Sequence, residues 1–403
     1  MRSQFAWYFR VDSAAIAKIW KDGILTVDAN VLLDLYRYHQ GTRDSLLAGL
    51  AAFKGRLWLS NQSAQEFFRN RARVIVGANS GFKAATEEIE NLRKASAKSL
   101  AQLRSNRILP EEPIQKLSDS LDSVLTAVSV AIDKAQSEFP KYLEQDSDPI
   151  LQTILAYFDA AVGAPFDEER LKGLKAEAER RKKAKVPPGY LDDDKDGDRP
   201  YGDFFLWQQI LDHAKSAGRP IIFVTSERKE DWWERPSGVT VGPRSELLKE
   251  AHEVAGQKVL IYQTDRFLQY SAEREGAALS QEVVEEIRAL DDLRSGSVVL
   301  FIAQLVEKNG PDFNEGTLSI ELKRPTFRFT ASGHFFPVMN SVPVLRADLS
   351  SGPAELPVFK VSAGTGTKHD FNIHLGSKTP GIPLPVGVYK FRYSARVRVP
   401  ADT

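Results

Sequence analysis

Short apolar runs alternate with amphipathic stretches through residues 12–272. Ile24–Val27, Arg56–Leu59, Pro220–Thr225 and Lys258–Tyr262 read as strands. Between and after them, Ala14–Lys21, a segment from Ala29, about Thr42–Phe53, Glu66–Val76, Gly202–Ala217, Arg244–Val254 and Thr264–Ala272 read as helices. Strands alternating with helices predict a parallel sheet joined by right-handed crossovers.

A long helical segment interrupts this alternation. Phe82, Ala85, Ile89 and Leu92 recur at spacings of three and four, as do Ile114, Leu117, Leu121, Val124 and Val128, and each set predicts an apolar stripe on a helix. Pro110 and Pro113 separate them, with Glu111 and Glu112 suited to a first helical turn. The expectation is a helical hairpin. Asp148–Ala161 and the charged stretch Asp167–Lys185 read as two further helices.

The tail changes period. Leu318, Ile320 and Leu322 alternate with polar residues, as do Phe327 and Phe329, and Phe371, Ile373 and Leu375. In the last run Tyr389, Phe391, Tyr393, Ala395, Val397 and Val399 face one way, and Lys390, Arg392, Arg396 and Arg398 the other. Period-two alternation between Gly/Pro turns predicts an antiparallel β-sandwich or barrel. About 90 residues and roughly seven strands are near immunoglobulin-like size. Leu384–Tyr389 resembles a tyrosine corner.

Composition narrows the chemistry. The chain has 403 residues, which predicts two or three domains, and 42% hydrophobic content suits globular folding. The absence of cysteine removes disulfides, thiolate nucleophiles and Cys-ligated metals, and suits a reducing compartment. No run has signal-peptide or membrane-spanning character, so a cytoplasmic protein without membrane association is expected. Formal net charge is zero, so contact with nucleic acid needs local basic patches.

Four apolar or turn segments lead into acids: Asp28, Glu66, Asp203, and the pair Glu227 and Asp231. Each has a plainer reading. Asp28 and Asp203 are good helix caps, and Ser63-Ala64-Gln65-Glu66 matches a capping box in which Glu66 reaches back to the Ser63 amide. Together the acids stand where an open α/β sheet builds its crevice, outside the carboxyl ends of the strands. Massed carboxylates repel unless cations lie between them, which predicts hard divalent metals. Two such ions about 3.5–4 Å apart suit phosphodiester hydrolysis. The six histidines form no motif that competes.

The segments Thr26–Tyr36, Ser63–Phe67, Gly202–Trp207 and Phe223–Trp233 resemble the PIN-like domain in its large bacterial form with a helical insertion. The similarity covers about residues 10–272. It implies a parallel sheet sandwiched by helices and Mg²⁺- or Mn²⁺-dependent cleavage of nucleic acid, a ribonuclease being favoured over a deoxyribonuclease. By position Asp28 would be the first metal ligand, Glu66 the second acid and Asp203 the third. The fourth is open between Glu227 and Asp231; Asp231 is favoured as a ligand, with Glu227 additional or acting through water. Asn30 would orient Asp28, while Thr225 and Lys229 would meet the scissile phosphate.

The expected division is a core in two parts (1–75 and 187–272), a helical insertion (76–186), a helical connector (273–310) and a β-sandwich (311–403) with a partner or trigger of its own. A homo-oligomer fits this organisation, as does a toxin-like or host-defence effector. The alternative is a catalytically degenerate module that binds nucleic acid or protein. Asp192–Asp198 matches the start of an EF-hand loop, but Arg199, Pro200 and Asp203 occupy positions where other residues are required. The basic run Arg180, Arg181, Lys182, Lys183 and Lys185 reads as a solvated helix face or a phosphate track. Trp232 and Trp233 read as packing elements before base-stacking ones.

Overall fold

The computed structural model describes residues 1, 4–9, 11–138, 147–191, 201–235, 240–294 and 298–397. It divides into two compact units: Met1–Val31 with Tyr38–Ala64 and Ala160–Thr403, and Leu32–Arg37 with Gln65–Asp159.

In the first unit, Asp12 caps α1 (Ser13–Asp22), its Oδ1 accepting from the Ala15 amide at 2.8 Å. The chain then enters β1 (Ile24–Val27), buried at every position. In chain order, with α5, α6 and most of α4 belonging to the second unit, helices α2 (Ala29–Asp34), α3 (Gln40–Ala51), α4 (Asn61–Ser105), α5 (Glu111–Glu138), α6 (Pro149–Phe158), α7 (Glu168–Ala184) and α8 (Gly202–Ala217) follow. α8 stops at Gly218, whose φ of +61° is the left-handed conformation a helix end favours. β2 (Ile221–Thr225), the short pair β3 (Trp233–Glu234) and β4 (Gly242–Pro243), α9 (Ser245–Glu250) with a π turn at Ala251–Ala255, β5 (Val259–Gln263), α10 (Thr264–Arg274) and α11 (Gln281–Arg294) complete this part.

The sheet is parallel in the order β1-β2-β5, with Val27 opposite Val224 and Thr225 opposite Gln263. The predicted strand Arg56–Leu59 contributes only two isolated bridges, Leu25 to Leu57 and Leu59 to Val162. Trp207, Ile210 and Leu211 of α8 pack with Phe223 of β2, Ile261 of β5 and Leu247 of α9 in one core. Each fully buried large side chain there contributes about 1.5–3 kcal/mol. Because α8 precedes a parallel strand, its N-terminus comes to the carboxyl edge, where β1, β2 and β5 also end.

Among the described residues the tail forms seven strands: β6 (Val299–Asn309), β7 (Phe313–Leu322), β8 (Arg328–His334), β9 (Val344–Ser351), β10 (Phe359–Gly364), β11 (Asp370–Ser377) and β12 (Gly387–Arg396). They pair antiparallel in two sheets, β6-β7-β12-β9 and β10-β11-β8, around a shared apolar core. The Tyr389 hydroxyl donates to the Pro385 carbonyl at 2.7 Å, the bond of a tyrosine corner. Residues 299–309, expected to be helical, are the edge strand β6. Only Gln304 is buried along it, so its alternation is too weak to read.

His334 ends β8 fully buried, with Nδ1 3.4 Å from Arg288 Nη1 and Nε2 3.9 Å from Glu285 Oε1. Burial first, then Arg288, pushes its pKa well below the ordinary 6.5. Burial and then Arg266 push His369 down to about 4. Both rings therefore fold neutral and are charged more readily in the unfolded chain. Their contribution to stability is complete above pH 6.5 and is lost as pH falls toward 4. For His369 the loss approaches roughly 3 kcal/mol, reduced by whatever Glu273, 3.5 Å from its Nδ1, returns on protonation. Urea titrations between pH 7 and 4.5 should show the decline, with a shallower slope in His369→Gln; an equal slope in that variant would refute the assignment.

In the second unit α4 and α5 form the expected hairpin, joined by Arg93 to Asp122 and by Arg104 Nη2 to Glu111 Oε1 at 2.7 Å. Its α5 seam runs through Ile114, Ser118, Leu121, Leu125, Ser129 and Ile132. Leu117, Val124 and Val128 of the predicted stripe are exposed instead. Two serines on the seam disguised it.

Near the base of the hairpin, Asp148 is enclosed. One carboxylate oxygen accepts from the Ile150 and Leu151 amides at 2.9 and 3.0 Å, capping α6. The other accepts from the Tyr36 hydroxyl at 2.6 Å and the Arg71 guanidinium, whose Nε lies at 3.0 Å. Burial and then Asp148 push the Tyr36 hydroxyl pKa upward.

Candidate functional site at the carboxyl edge of the sheet

β1 ends at Val27 and α2 begins at Ala29, which leaves Asp28 on the edge itself, 8% exposed. Its Oδ2 accepts from Thr225 Oγ1 at 3.0 Å. The same hydroxyl accepts from the Glu227 amide at 3.0 Å. Thr225 thus ties the end of β2 to Asp28 and aims one carboxylate oxygen. Asn30 reaches Asp28 through its backbone amide, 3.4 Å from Oδ1, in the manner of a loose cap.

Glu227 is bound into its own turn. Its Oε1 accepts from the Arg228 and Lys229 amides at 2.9 and 3.1 Å, and its Oε2 lies 3.1 Å from Lys229 Nζ. The indole of Trp233 donates to the Glu227 carbonyl at 2.6 Å, fixing the turn from beneath.

Asp203 and Asp231 are brought together around Gly189. The Gly189 amide donates to Asp231 Oδ2 at 2.9 Å, and a Cβ added at residue 189 would lie 3.2 Å from the Asp203 Cβ. With φ at +85°, only glycine sits there without strain. Trp232, next to Asp231, closes the group from the other side by donating Nε1 to Asp203 Oδ2 at 3.2 Å. Asp203 retains partial exposure, whereas Asp231 has none.

Glu66 has a different local setting from the one its spacing predicts. α4 begins at Asn61, and Ser60 Oγ accepts from the Ser63 amide at 3.0 Å. Ser60 is therefore the cap, the Ser63 amide is already taken, and Glu66 lies beyond the first turn. It belongs to the second unit, while Asp28, Asp203, Glu227 and Asp231 belong to the first.

The donors at this edge are carboxylate oxygens without sulfur or imidazole, a set suited to Mg²⁺ or Mn²⁺. Among the described residues no three acidic or histidine side chains are gathered as a ready coordination shell. Mg²⁺ commonly keeps several waters and uses one or two carboxylates with substrate phosphate, so a partial protein shell remains compatible with it. The EF-hand-like segment Asp192–Asp198 lies outside the described residues.

Trp232 and Trp233 are buried: Trp232 meets Trp207 edge-on at 6.1 Å and Phe223 at 5.4 Å. They are packing elements whose indole N–H groups also position the acidic turn. In the basic run, Arg180 pairs with Glu177 Oε2 at 2.7 Å, while Arg181 pairs with Glu250 and lies over the Phe204 ring at 4.7 Å. Those two guanidiniums are engaged within the protein rather than forming an open phosphate track.

Three contributors escaped the sequence reading. Gly189 was visible only as part of a Pro-Pro-Gly turn. Asp265 stands second after β5, behind Thr264, where Asp28 stands first after β1. Arg228 sits between two noted residues and turns away from them, toward Asp291.

Among the described residues no helix is long and apolar enough to cross a membrane. Comparison with curated proteins and with solved structures returned no match. A family model described as a PIN-like domain matches residues 24–247, more than half of the chain and the stretch that carries β1, β2, Asp28, Glu66, Asp203, Glu227 and Asp231. With that match laid over a parallel β1-β2-β5 sheet, the chain belongs to the PIN-like domain family.

Proposed function

We propose that this protein is a metal-dependent endonuclease that hydrolyses phosphodiesters, acting on RNA in preference to DNA. The observation that carries the reading is the edge itself: Asp28 aimed by Thr225, and Asp203 held beside Asp231, on a PIN-like core. Asp28 and Asp203 are the side chains we assign to a Mg²⁺ or Mn²⁺ ion. When bound, the ion would supply a Lewis acid for the phosphate and lower the pKa of water.

The chain's own groups do the rest. Thr225 holds one Asp28 oxygen in place, leaving the carboxylate preoriented rather than rotating. Asp231, without solvent exposure, holds Gly189 against Asp203. Glu227 braces the turn that presents Lys229, whose ammonium would meet a substrate phosphate as a point charge. The β-sandwich gives the enzyme a surface for a trigger, in keeping with a conditional, toxin-like or host-defence effector.

Calorimetric titration of Mn²⁺ and cleavage of single-stranded RNA and DNA test this reading together. Cleavage should require Mn²⁺ or Mg²⁺ and stop with EDTA. In Asp203→Asn, Mn²⁺ affinity should fall about tenfold or more without loss of fold. Equal Mn²⁺ binding in Asp203→Asn, or cleavage that survives EDTA, would sink it. A second reading, a binding module that does not cut, is favoured by Glu227 being occupied within its own turn. RNA retention without metal binding or cleavage would select it.

A further inference from the structure

The turn that carries Glu227 and Lys229 is not held by the sheet alone. Arg228, between them, pairs with acids of other elements. Its Nε donates to Asp291 Oδ2 of α11 at 2.8 Å, and its Nη2 lies 3.9 Å from Asp265 Oδ1 at the start of α10. Asp265 and Asp291 are almost wholly buried. From Asp265 the charges continue: its Oδ2 accepts from Arg288 Nε at 3.0 Å. Arg288 in turn lies 3.4 Å from His334 Nδ1 and 4.0 Å from Asp370 Oδ2, both in the β-sandwich. Arg266 closes the chain by pairing with Asp370.

We propose that the β-sandwich positions the 227–231 turn through this buried ion-pair chain, with Arg228 as the positioning residue at its end. That the turn serves catalysis rests on the nuclease reading; the mechanical link does not.

Three features carry the proposal. The connection is continuous from sandwich to turn, charge against countercharge. Its middle is buried at Asp265 and Asp291 while Arg228 and Asp370 keep partial exposure, and partly desolvated pairs resist screening more than surface pairs do. Removing one partner strands the next charge in a dry setting, so a change at Asp370 is felt along the chain. Burial works to raise the Asp265 carboxyl, yet Arg288, Arg228 and Arg266 hold it well below the ordinary range. The group is thus an anion at working pH and the hub of the link. At the far end, His334 is locked to the sandwich by Gln304, which donates to its carbonyl at 2.7 Å and accepts from its amide at 3.0 Å. A partner that shifts β8 or β11 therefore displaces charges that end beside Glu227 and Lys229.

Hydrogen exchange on the full-length chain, without metal or substrate, is the test. Arg228→Gln should speed exchange of peptides covering 225–235 about tenfold, and Arg228→Lys should restore much of the protection. Asp370→Asn, isosteric and remote from the turn, should speed the same peptides at least about threefold. Arg396→Gln, which breaks an exposed pair with Glu315 on the same sandwich, should not. On the active enzyme, Asp370→Asn should lower kcat with little change in KM for RNA. Exchange at 225–235 that is unaltered in Asp370→Asn, or that rises evenly over the whole chain, overturns the proposal. If Arg228→Gln fails to fold, Asp370→Asn decides alone. Cleavage that persists in Asp28→Asn would remove the nuclease reading and leave the exchange result standing.

Discussion

Asp28→Asn is expected to lower metal-dependent cleavage about a thousandfold while leaving the melting temperature within a few degrees of wild type. The substitution is isosteric, and the amide oxygen can still accept from Thr225 Oγ1, so the tie between β1 and β2 survives. Asparagine caps a helix as well as aspartate, so the start of α2 survives too. What disappears is one negative charge at the position assigned to the proposed cation. Losing roughly 4 kcal/mol of charge stabilisation in the transition state corresponds to about a thousandfold in rate. A fluorogenic RNA in Mn²⁺, with calorimetric melting on the same sample, measures both quantities. Retention of more than about a tenth of the activity would place the chemistry elsewhere. A melting temperature far below wild type would make Asp28 a structural residue.

The second large effect belongs to the other unit. Arg71→Ala should destabilise it by about 3–5 kcal/mol, because it leaves the buried Asp148 carboxylate without its guanidinium. Tyr36→Phe removes one hydrogen bond to the same oxygen and should cost about 1–2 kcal/mol. The two should be less than additive, since Arg71 Nε also lies 3.1 Å from the Tyr36 hydroxyl. Urea unfolding followed by far-ultraviolet circular dichroism, dominated by the long helices α4 and α5, reports on this unit. A loss under about 1 kcal/mol in Arg71→Ala would mean that water or another group takes over the guanidinium's place.

Elements with a strong local period were legible before any coordinates. α8 runs from Gly202 to Ala217 and β1 from Ile24 to Val27, both as read, because a glycine stop and an unbroken apolar run are local signals. The hairpin was legible as two helices but not in its facing. Ser118 and Ser129 lie on the buried seam while Leu117 and Val124 face water, and residue type alone does not reveal that inversion. The strand β6 was missed for a related reason: at an edge, only one residue in eleven is buried.

The site divides along the same line. Asp28, Glu227 and Asp231 could be named from strand ends and Asp203 from a helix start, and the parallel sheet brings the strand ends to one edge, since topology follows from alternation. The sequence by itself thus determined the fold family, and it is the source of the acids and the hard-cation chemistry proposed above. Which acid faces outward was decided only in three dimensions. Glu227 folds onto its own amides, Asp231 is sealed behind Gly189, and Ser60 displaces the capping box read at Ser63. The attachment of Arg228 to charges reaching into the β-sandwich also belongs to tertiary structure. The reason is physical: local pattern records which face of an element is apolar, but a buried ion pair joins residues far apart in sequence and leaves no periodic trace. Arg228 and Asp291, 63 positions apart, look like any surface arginine and aspartate until the fold brings them together.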